Sequence, residues 1–442
     1  MTPKVIDVQQ FIDSHKLSGA QLRLILLCFL VVAVDGFDTA SIGFIAPAIR
    51  AEWALRPAQL APLFASGLFG LMLGAFAVGP IADRHGRKAM LILSMAFFGV
   101  ASLLSAFSPN LTVLIALRFL TGLGLGGAMP NAITLTSEYC PQPRRSSLVT
   151  LMFCGFTIGS AFGGIVTSQL IGGYGWRSVL VIGGILPLLL APVLVWALPE
   201  SVRYLVMKGV DEKHIAKVLQ RVAPGTDLTG ATFTGATKPH SSPVRRLFEG
   251  DLLRGTLLLW LACFMSLLVV YFMSSWLPSL IGGSGLSLRT ASLITAMFQV
   301  GGTVGAIAIG RMMDKLNPHR VLSIAYTTAA IFIFLIGLGF SIPWLMVPAV
   351  FGAGFCVSGS QVGVNALSAA FYPTASRATG VSWANGVGRI GSVLGSTLGS
   401  FMLSPGWGLP ARFAIVAIPA IVAGIALYVM GLAKAPQQQA RN

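Results

Sequence analysis

Residues 79–88 read GPIADRHGRK, a short charged loop between two long apolar segments. A related loop at residues 310–315 reads GRMMDK and also lies between two apolar segments. Each loop begins with a glycine and carries an aspartate four residues later, so the two loops match at an offset of 231 residues. This match indicates an internal duplication of the chain.

A second pair of loops repeats at almost the same offset. Pro141 and Arg145 are matched by Pro373 and Arg377, 232 residues further along the chain. Repetition of two separate loops at nearly one spacing is hard to obtain by chance. The chain is therefore predicted to contain two copies of one structural unit.

The composition of the chain excludes a water-soluble fold. Hydrophobic residues make up 55% of it and charged residues only 10%, whereas soluble domains have about 25% charged residues. Solid apolar runs are typical of transmembrane helices, which need about 20 residues each, and not of transmembrane β-barrels. The sequence predicts an all-α membrane protein with twelve transmembrane helices in two pseudo-symmetric bundles of six. The predicted segments are residues 22–48, 59–81, 89–108, 111–136, 147–170, 178–198, 255–281, 290–312, 320–340, 343–370, 377–403 and 410–433.

The hydrophobic pattern divides the chain into three regions. Residues 1–198 are predicted to form an N-terminal bundle, residues 199–254 a cytoplasmic linker, and residues 255–442 a C-terminal bundle with a cytoplasmic tail. Within the linker, charged residues at 208–213 precede a run rich in Gly, Thr and Ser at about 225–242. This pattern predicts a short amphipathic helix followed by a flexible segment.

The net charge of +16 is distributed according to the positive-inside rule. One set of alternate loops carries most of the Lys and Arg residues, including nine within residues 203–254. This set is predicted to be cytoplasmic, which places both termini in the cytoplasm and the protein in the inner membrane. Aromatic residues are not interleaved with the basic ones, so the expected surroundings are a lipid bilayer and no nucleic acid. The opposite set of loops, predicted to lie outside the cytoplasm, contains few basic residues other than Arg50, Arg56, Arg177, Arg289 and Arg412.

The loop at residues 79–88 resembles the G-x-x-x-D-R-x-G-R-K signature of the major facilitator superfamily. The sequence RFLTGLG at residues 118–124 is similar to the R-x-x-x-G-x-G pattern of that superfamily. Residues 199–203 read PESVR, which is similar to its P-E-S-P-R pattern with Val202 in place of the usual proline. The resemblance covers essentially the whole chain and implies a transporter that works by alternating access.

Residues 35–39 read DGFDT, which resembles the D-G-x-D element of the aromatic acid:proton symporters within that superfamily. That family also has charged groups at positions that match Asp314, His319, Arg377 and Arg389. The resemblance implies import of a benzoate-like, hydroxybenzoate-like or protocatechuate-like acid by proton symport. The alternatives are a porter for a sugar, a shikimate-like acid or a dicarboxylate, and, as a distant third, a sensor that transports nothing.

Asp35 and Asp38 are predicted to lie inside the membrane, where one charged side chain costs about 2.5–3.5 kcal/mol. Three residues apart on a helix, they project from the same side. Arg118 in the fourth predicted helix comes at a similar depth. We hypothesise that Arg118 pairs with one carboxylate while the other carries the transported proton. The alternative is a fixed ion pair that holds two helices together.

Arg389 is the clearest buried cation for binding a carboxylate, because its guanidinium group can donate two parallel hydrogen bonds. An alternative role of Arg389 is to interact with a helix C-terminus. For each of the aromatic residues expected near it, the alternative role is packing or contact with lipid. The residues expected to line an aromatic pocket are Phe37, Gln299, Gln361, Asn365, Trp383 and Asn385.

The charged loops are predicted to form a gate near the inner surface. Charge-assisted contacts between the two halves would form when the outer side is open and break when the inner side opens. Topological anchoring by positive charge is the alternative role of the same residues. The residues expected to form the gate are Asp83, Arg84, Arg87, Asp314, His319 and Arg377.

The sequence shows no phosphate-binding G-x-x-x-x-G-K-[ST] motif, nucleophile elbow or metal-ligand spacing. No enzyme activity, cofactor or metal is therefore expected, and a proton gradient is the expected source of energy. The protein is expected to act as a monomer.

Glycines at positions 155, 159, 163 and 164 are spaced for close packing of the fifth predicted helix against another helix. A similar glycine run in antiporters of the superfamily contains a proline where this chain has Ser160. The absence of that proline favours import over efflux.

Overall fold

The computed structural model describes residues 4–234, 244–250, 252–339, 343–372, 376–402 and 408–439. The described residues form fifteen α-helices and two short strands. Twelve of the helices are long and correspond one to one with the twelve predicted segments, which confirms the fold class. The long helices are α2 (Gly19–Glu52), α3 (Pro57–His85), α4 (Arg87–Ser105), α5 (Leu111–Tyr139), α6 (Arg145–Leu170), α7 (Gly175–Ala197), α10 (Leu252–Gly282), α11 (Leu288–Lys315), α12 (Pro318–Gly339), α13 (Pro343–Phe371), α14 (Arg377–Met402) and α15 (Leu409–Gln439).

Among the described residues, eleven of the long helices are apolar enough to cross a membrane. The remaining one, α14, is richer in Gly, Ser and Thr and carries Arg389. Several helices extend past the predicted segments, as α2 does by continuing to Glu52. An apolar run marks the part of a helix that meets hydrocarbon, whereas backbone hydrogen bonding continues through the polar residues beyond it.

The duplication inferred from the loops is also present in the helix packing. In the first half, α3 lies so close to α5 that a Cβ atom at Gly70 would overlap the carbonyl oxygen of Phe119. In the second half, α11 lies equally close to α13, where a Cβ atom at Gly301 would overlap the carbonyl oxygen of Phe351. The glycines are 231 residues apart and the phenylalanines 232, the offsets found for the loops. Equivalent pairs one turn further along are Gly74 with Leu123 and Gly305 with Phe355.

A second repeated contact joins α2 to α6 and α10 to α14. A Cβ atom at Gly159 would overlap the carbonyl oxygen of Ala33, and one at Gly391 would overlap that of Phe264. Helices in lipid gain nothing from hiding apolar surface from each other, so small residues that let backbones approach are a main source of their association. The close packing predicted from the glycine spacing of α6 is confirmed.

The contacts divide the chain into two compact units. The boundaries fall inside α2, α3, α6 and α7, so each of these helices contributes to both units. Unit 1 comprises residues 1–36, 69–159 and 180–238, and unit 2 comprises residues 37–68, 160–179 and 239–442.

In unit 1, the N-terminal residues and the linker pack together as a two-stranded sheet with short helices. Strand β1 (Lys4–Asp7) pairs in parallel with β2 (Ala231–Thr234). Helix α9 (Glu212–Val222) presents Ile215, Val218, Leu219 and Val222 to a core shared with α1 (Val8–Asp13). The short helix α8 (Val202–Met207) precedes it.

The amphipathic helix predicted in the linker is confirmed as α9, but part of the segment predicted to be flexible is the strand β2. Four residues are too few to show the alternation of apolar and polar residues that is typical of a strand. The partner strand, β1, lies near the N-terminus, far from β2 in the sequence. Residues 235–243 of the linker lie outside the described part of the chain.

Substitution of Gly395 by alanine tests the close packing of α14 on α10. The added Cβ would overlap the carbonyl oxygen of Leu268, a backbone atom that cannot move cheaply. We expect Gly395→Ala to lower the stability of the purified protein by about 1–3 kcal/mol, measured as a lower Tm in detergent. The matched control is Gly386→Ala in the same helix, where nothing lies within 4 Å of the added atom. Equal Tm values for the two variants would contradict the packing.

Candidate functional site

The three charges predicted to couple protons are buried. Asp35 is 1% exposed, Asp38 is 0% exposed and Arg118 is 3% exposed. The two carboxylates lie on one continuous helix, α2, and Arg118 lies on α5. Ionisable side chains in a membrane helix are expensive, and burial at this level is found where they serve a function or hold each other in place. The pairing of Arg118 with one of the carboxylates stays a prediction.

The backbone around Asp35 is tightly enclosed on one side. A Cβ atom at Gly36 would overlap the carbonyl oxygen of Phe156 on α6. Gly36 is the residue between Asp35 and Phe37 in the DGFDT sequence, so its lack of a side chain is what brings α6 against this turn of α2. The contact fixes the turn of α2 that carries Asp35 against α6.

Arg389 lies on α14 and is held by a tyrosine of α10. Its Nη1 atom donates a hydrogen bond of 2.8 Å to the hydroxyl oxygen of Tyr271, and its guanidinium carbon lies 6.0 Å from the centre of that ring. Among the described residues, no carboxylate forms an ion pair with Arg389. The side chain is half-buried, so one of the twelve long helices carries a cation without a counter-charge among the described residues. Its remaining N–H groups can hold an anion.

Gln299 reaches the same side of α10. Its Nε2 atom donates a hydrogen bond of 3.2 Å to the hydroxyl oxygen of Ser274, one helical turn from Tyr271. Residues three apart on a helix are neighbours on its surface. Gln299 of α11 and Arg389 of α14 therefore contact neighbouring positions of α10, and that they line one site stays a prediction.

Gln361 and Asn365 form a polar pair on α13. The Nε2 atom of Gln361 donates to Oδ1 of Asn365 at 3.4 Å, and Gln361 is only 9% exposed. Two amides four residues apart on one helix face can bind polar groups of a ligand as well as each other.

The other predicted pocket residues take different positions. Trp383 is 45% exposed and stacks on Trp260 with ring centres 5.8 Å apart. Asn385 donates its amide to the carbonyl oxygen of Val381 on its own helix, at 3.1 Å. Phe37 is buried within unit 2, with its ring centre 6.1 Å from that of Phe162. None of these three has a described contact with Arg389.

Unit 2 also contains close contacts between helices of the first and second halves. The ring of Phe64 on α3 meets Trp276 on α10 edge to face, with centres 5.0 Å apart. Trp276 is fully buried, and its Nε1 atom donates a hydrogen bond of 2.6 Å to the carbonyl oxygen of Ser396. Gly43 of α2 lies directly against the backbone of Ser274. These contacts join α2 and α3 to α10.

The first charged loop is organised by a carboxylate that the sequence analysis did not select. Asp83 and Arg87 form an ion pair one turn apart. Glu200, from the PESVR sequence, accepts hydrogen bonds of 2.9 Å from the backbone N–H of Arg87 and 3.0 Å from that of Lys88. It thereby caps the N-terminus of α4. Gly86 precedes this turn with a φ of 100°, a conformation that favours glycine.

The same loop is also tied to the linker. The backbone oxygen of Arg84 accepts a hydrogen bond of 3.2 Å from the hydroxyl group of Tyr204 on α8. The Tyr139 hydroxyl group donates to the backbone oxygen of Glu200 at 2.6 Å. The P-E-S pattern could have indicated that Glu200 caps α4, because a Glu that follows the end of one helix can accept hydrogen bonds from the N-terminus of another.

The residues predicted for the second half of the gate are arranged differently. Asp314 is exposed, whereas His319 is 7% exposed and its backbone N–H donates to Oδ1 of Asn317 at 3.0 Å. His319 is therefore packed at the start of α12 and is not a solvated loop histidine. Helix α14 begins at Arg377, whose side chain lies outside the described part of the structure.

Twelve long helices built from two similar halves, with buried charges inside them, are typical of a multi-pass membrane transporter. The family model described as Major Facilitator Superfamily matches residues 28–292 and 259–442. The chain belongs to this superfamily, whose members are transporters and not enzymes.

Similar proteins identify the family within this superfamily. The chain is 46% identical over 433 residues to a 4-hydroxybenzoate transporter of Pseudomonas aeruginosa, covering 97% of this chain and 96% of the relative. It is 44% identical over 431 residues to a gallate transporter of Pseudomonas putida, with the same two coverages of 97% and 96%. The chain belongs to the aromatic acid transporter family that these relatives represent.

A solved structure shares the fold. The xylose transporter of E. coli, in a partially occluded inward-open conformation, matches with a TM-score of 0.74 at 18% sequence identity. The match covers 92% of this chain and 97% of that chain.

Replacement of Glu200 tests its role as the cap of α4. We expect Glu200→Ala to destabilise the purified protein by about 0.5–2 kcal/mol, because two backbone N–H groups of α4 lose their acceptor. Glu200→Gln retains an acceptor oxygen and should lose less. The control is Glu212→Ala, which removes an exposed carboxylate from the start of α9. A Tm for Glu200→Ala equal to that of the control would rule out the cap.

Proposed function

We propose that this protein imports a small aromatic carboxylate together with protons across the cytoplasmic membrane. The proposed transporter is a monomer with both termini in the cytoplasm. Its two halves, residues 1–198 and 255–442, alternate access to a central site, and residues 199–254 link them. The observation that carries the proposal is Arg389, a half-buried cation with no ion-pair partner among the described residues.

An uncompensated arginine in a membrane helix favours an anionic ligand. A bound carboxylate would neutralise the charge and accept two hydrogen bonds from the planar guanidinium group. The hydrogen bond to Tyr271 fixes the orientation of that group before the ligand arrives. Such preorganisation lowers the cost of binding.

The aromatic nature of the substrate is supported by the relatives. The two proteins that match at 46% and 44% identity are a 4-hydroxybenzoate transporter and a gallate transporter. Both compounds carry one carboxylate on a hydroxylated ring. The amides of Gln299 and Gln361 in unit 2 supply hydrogen-bonding groups suited to such a ring.

Proton coupling is assigned to Asp35, Asp38 and Arg118. Two carboxylates that share a low-dielectric site cannot both ionise cheaply, and one guanidinium group balances one of them. The other carboxylate then takes up a proton from the outer side and gives it up on the inner side. Complete burial of the two aspartates supports this role, since a group exposed to both sides would leak protons.

We assign an outer gate to the outer ends of the long helices and an inner gate to their cytoplasmic ends. With cytoplasmic termini, the contacts of Phe64 with Trp276 and of Gly43 with Ser274 lie at the outer end of unit 2 and would close the outer side. The loop that carries Asp83, Arg84 and Arg87 would lie at the inner surface, as would the one with Asp314 and His319. These loops are the proposed inner gate.

Substitution of Arg389 tests the carboxylate site. Arg389→Gln should abolish uptake of labelled 4-hydroxybenzoate into proteoliposomes under an imposed pH gradient, and Arg389→Lys should retain only a small fraction of it, because an ammonium group lacks the planar fork. The control is Arg289→Gln, which removes an exposed arginine at the start of α11. Uptake by Arg389→Gln at the level of the control would refute the site.

Substitution of the aspartates tests the coupling separately. Asp35→Asn and Asp38→Asn should each abolish accumulation driven by a pH gradient while retaining some exchange of internal for external substrate, since an amide keeps the polar volume but cannot release a proton. Both activities are measured in the same proteoliposomes. Unchanged accumulation in both variants would reject proton coupling at these residues.

A further inference from the structure

Gln361 has an unusual combination of burial and unused hydrogen-bonding capacity. Its side chain is more than nine-tenths buried, and Nε2 donates to Asn365 at 3.4 Å. Its Oε1 atom is shielded from solvent and has no hydrogen-bond donor among the described residues. A buried amide oxygen without a donor costs about 1–3 kcal/mol, so such a group in a folded protein calls for an explanation.

The packing of α13 shows which way Gln361 points. Gly359, two residues before it, lies against Gly305 of α11, with an added Cβ only 2.6 Å from the carbonyl carbon of Gly305. Gly363, two residues after it, lies against Leu322 of α12, with an added Cβ at 2.7 Å. Two residues correspond to about 200° around a helix. Gln361 therefore projects from the side of α13 opposite to α11 and α12.

Two further helices of unit 2, α10 and α14, also pack on α13. They carry Tyr271 and Arg389. Since Gln361 points away from α11 and α12 at this level and is itself buried, its side of α13 is covered by other parts of the protein and not by lipid.

Gln361 and Arg389 also lie at the same height. Helices α13 and α14 follow each other through a short connection between Phe371 and Arg377. At a rise of 1.5 Å per residue, Gln361 is about 15 Å from the end of α13 and Arg389 about 18 Å from the start of α14. An anion held by Arg389 is thus level with the amide of Gln361.

We infer that the Gln361 side chain binds the ring hydroxyl group of the substrate and selects hydroxylated aromatic acids over benzoate. The inference rests on the proposed function, which places the carboxylate of the same molecule on Arg389. A carboxylate and a para hydroxyl group stand at opposite ends of a benzene ring, so one molecule can meet both residues across the site.

The chemistry of a phenol fits this position in either orientation of the amide. With Nε2 directed to Asn365, Oε1 accepts the phenolic O–H. With the amides of both Gln361 and Asn365 turned over, Oε1 accepts from Nδ2 of Asn365 and Nε2 donates to the phenolic oxygen. In both cases Asn365 is a positioning residue that fixes the amide, and a bound benzoate would leave one amide atom of Gln361 buried without a partner.

Such a site discriminates strongly, because an analogue without the hydroxyl group leaves a buried polar atom unsatisfied. The preference is measured as the ratio of the Kd values for benzoate and 4-hydroxybenzoate, by calorimetry on the purified full-length protein. We expect the wild type to bind 4-hydroxybenzoate at least about tenfold more tightly. Gln361→Met, which conserves the length of the side chain without its amide, should reduce the ratio by about tenfold.

Gln361→Asn provides a second variant whose amide is too short to reach the same point, and it should reduce the ratio as well. Thermal unfolding in detergent verifies that each variant is folded. Gln142→Met, at an exposed loop position, is the matched control and should keep the ratio of the wild type.

The outcomes separate this inference from the function on which it rests. Tight binding of both acids with a ratio unchanged in Gln361→Met and Gln361→Asn would overturn the role of Gln361 while leaving aromatic acid transport intact. An equal loss of affinity for both acids in the variants would also overturn it, because the residue would then act on the shape of the site. Binding of neither acid by the wild type would overturn the proposed function itself.

Discussion

The cost of burying charge in a membrane protein governs this structure. Asp35, Asp38 and Arg118 are buried almost completely, and Arg389 is half-buried beside Tyr271 without a described carboxylate partner. In hydrocarbon such groups are tolerated only where they neutralise each other or meet protons and ligands. A half-buried arginine on α14 and two buried carboxylates on α2 are therefore the groups on which the proposed binding of an anion and a proton rests.

Close backbone contact is what allows helices to enclose these charges. The glycines that pack α2 on α6 recur where α10 packs on α14, and those that pack α3 on α5 recur between α11 and α13. Since apolar surface provides no drive for helices to associate in lipid, the approach of backbones through small residues takes its place. The duplication supplies the same close helix pairings twice, which suits the proposed alternating access of the two halves.

Much of this architecture could be predicted from the sequence. Long apolar runs fixed the number and positions of the helices, and glycine spacing indicated which helix surfaces pack closely. Asp35 and Asp38 could be selected because a charge in an apolar run is conspicuous. Tyr271 and Glu200 were missed, because their importance comes from Arg389 and from the start of α4, residues far away in the chain. The pairing of β1 with β2 was missed for the same reason.

The central claim is that anion and proton are bound together because each offsets a charge that the membrane penalises. The most direct test is calorimetric titration of the purified protein with 4-hydroxybenzoate in two buffers of different ionisation enthalpy at one pH. Coupled binding of anion and proton predicts observed enthalpies that differ between the buffers in the direction of net proton uptake by the complex. Identical enthalpies in the two buffers, with binding intact, would contradict it.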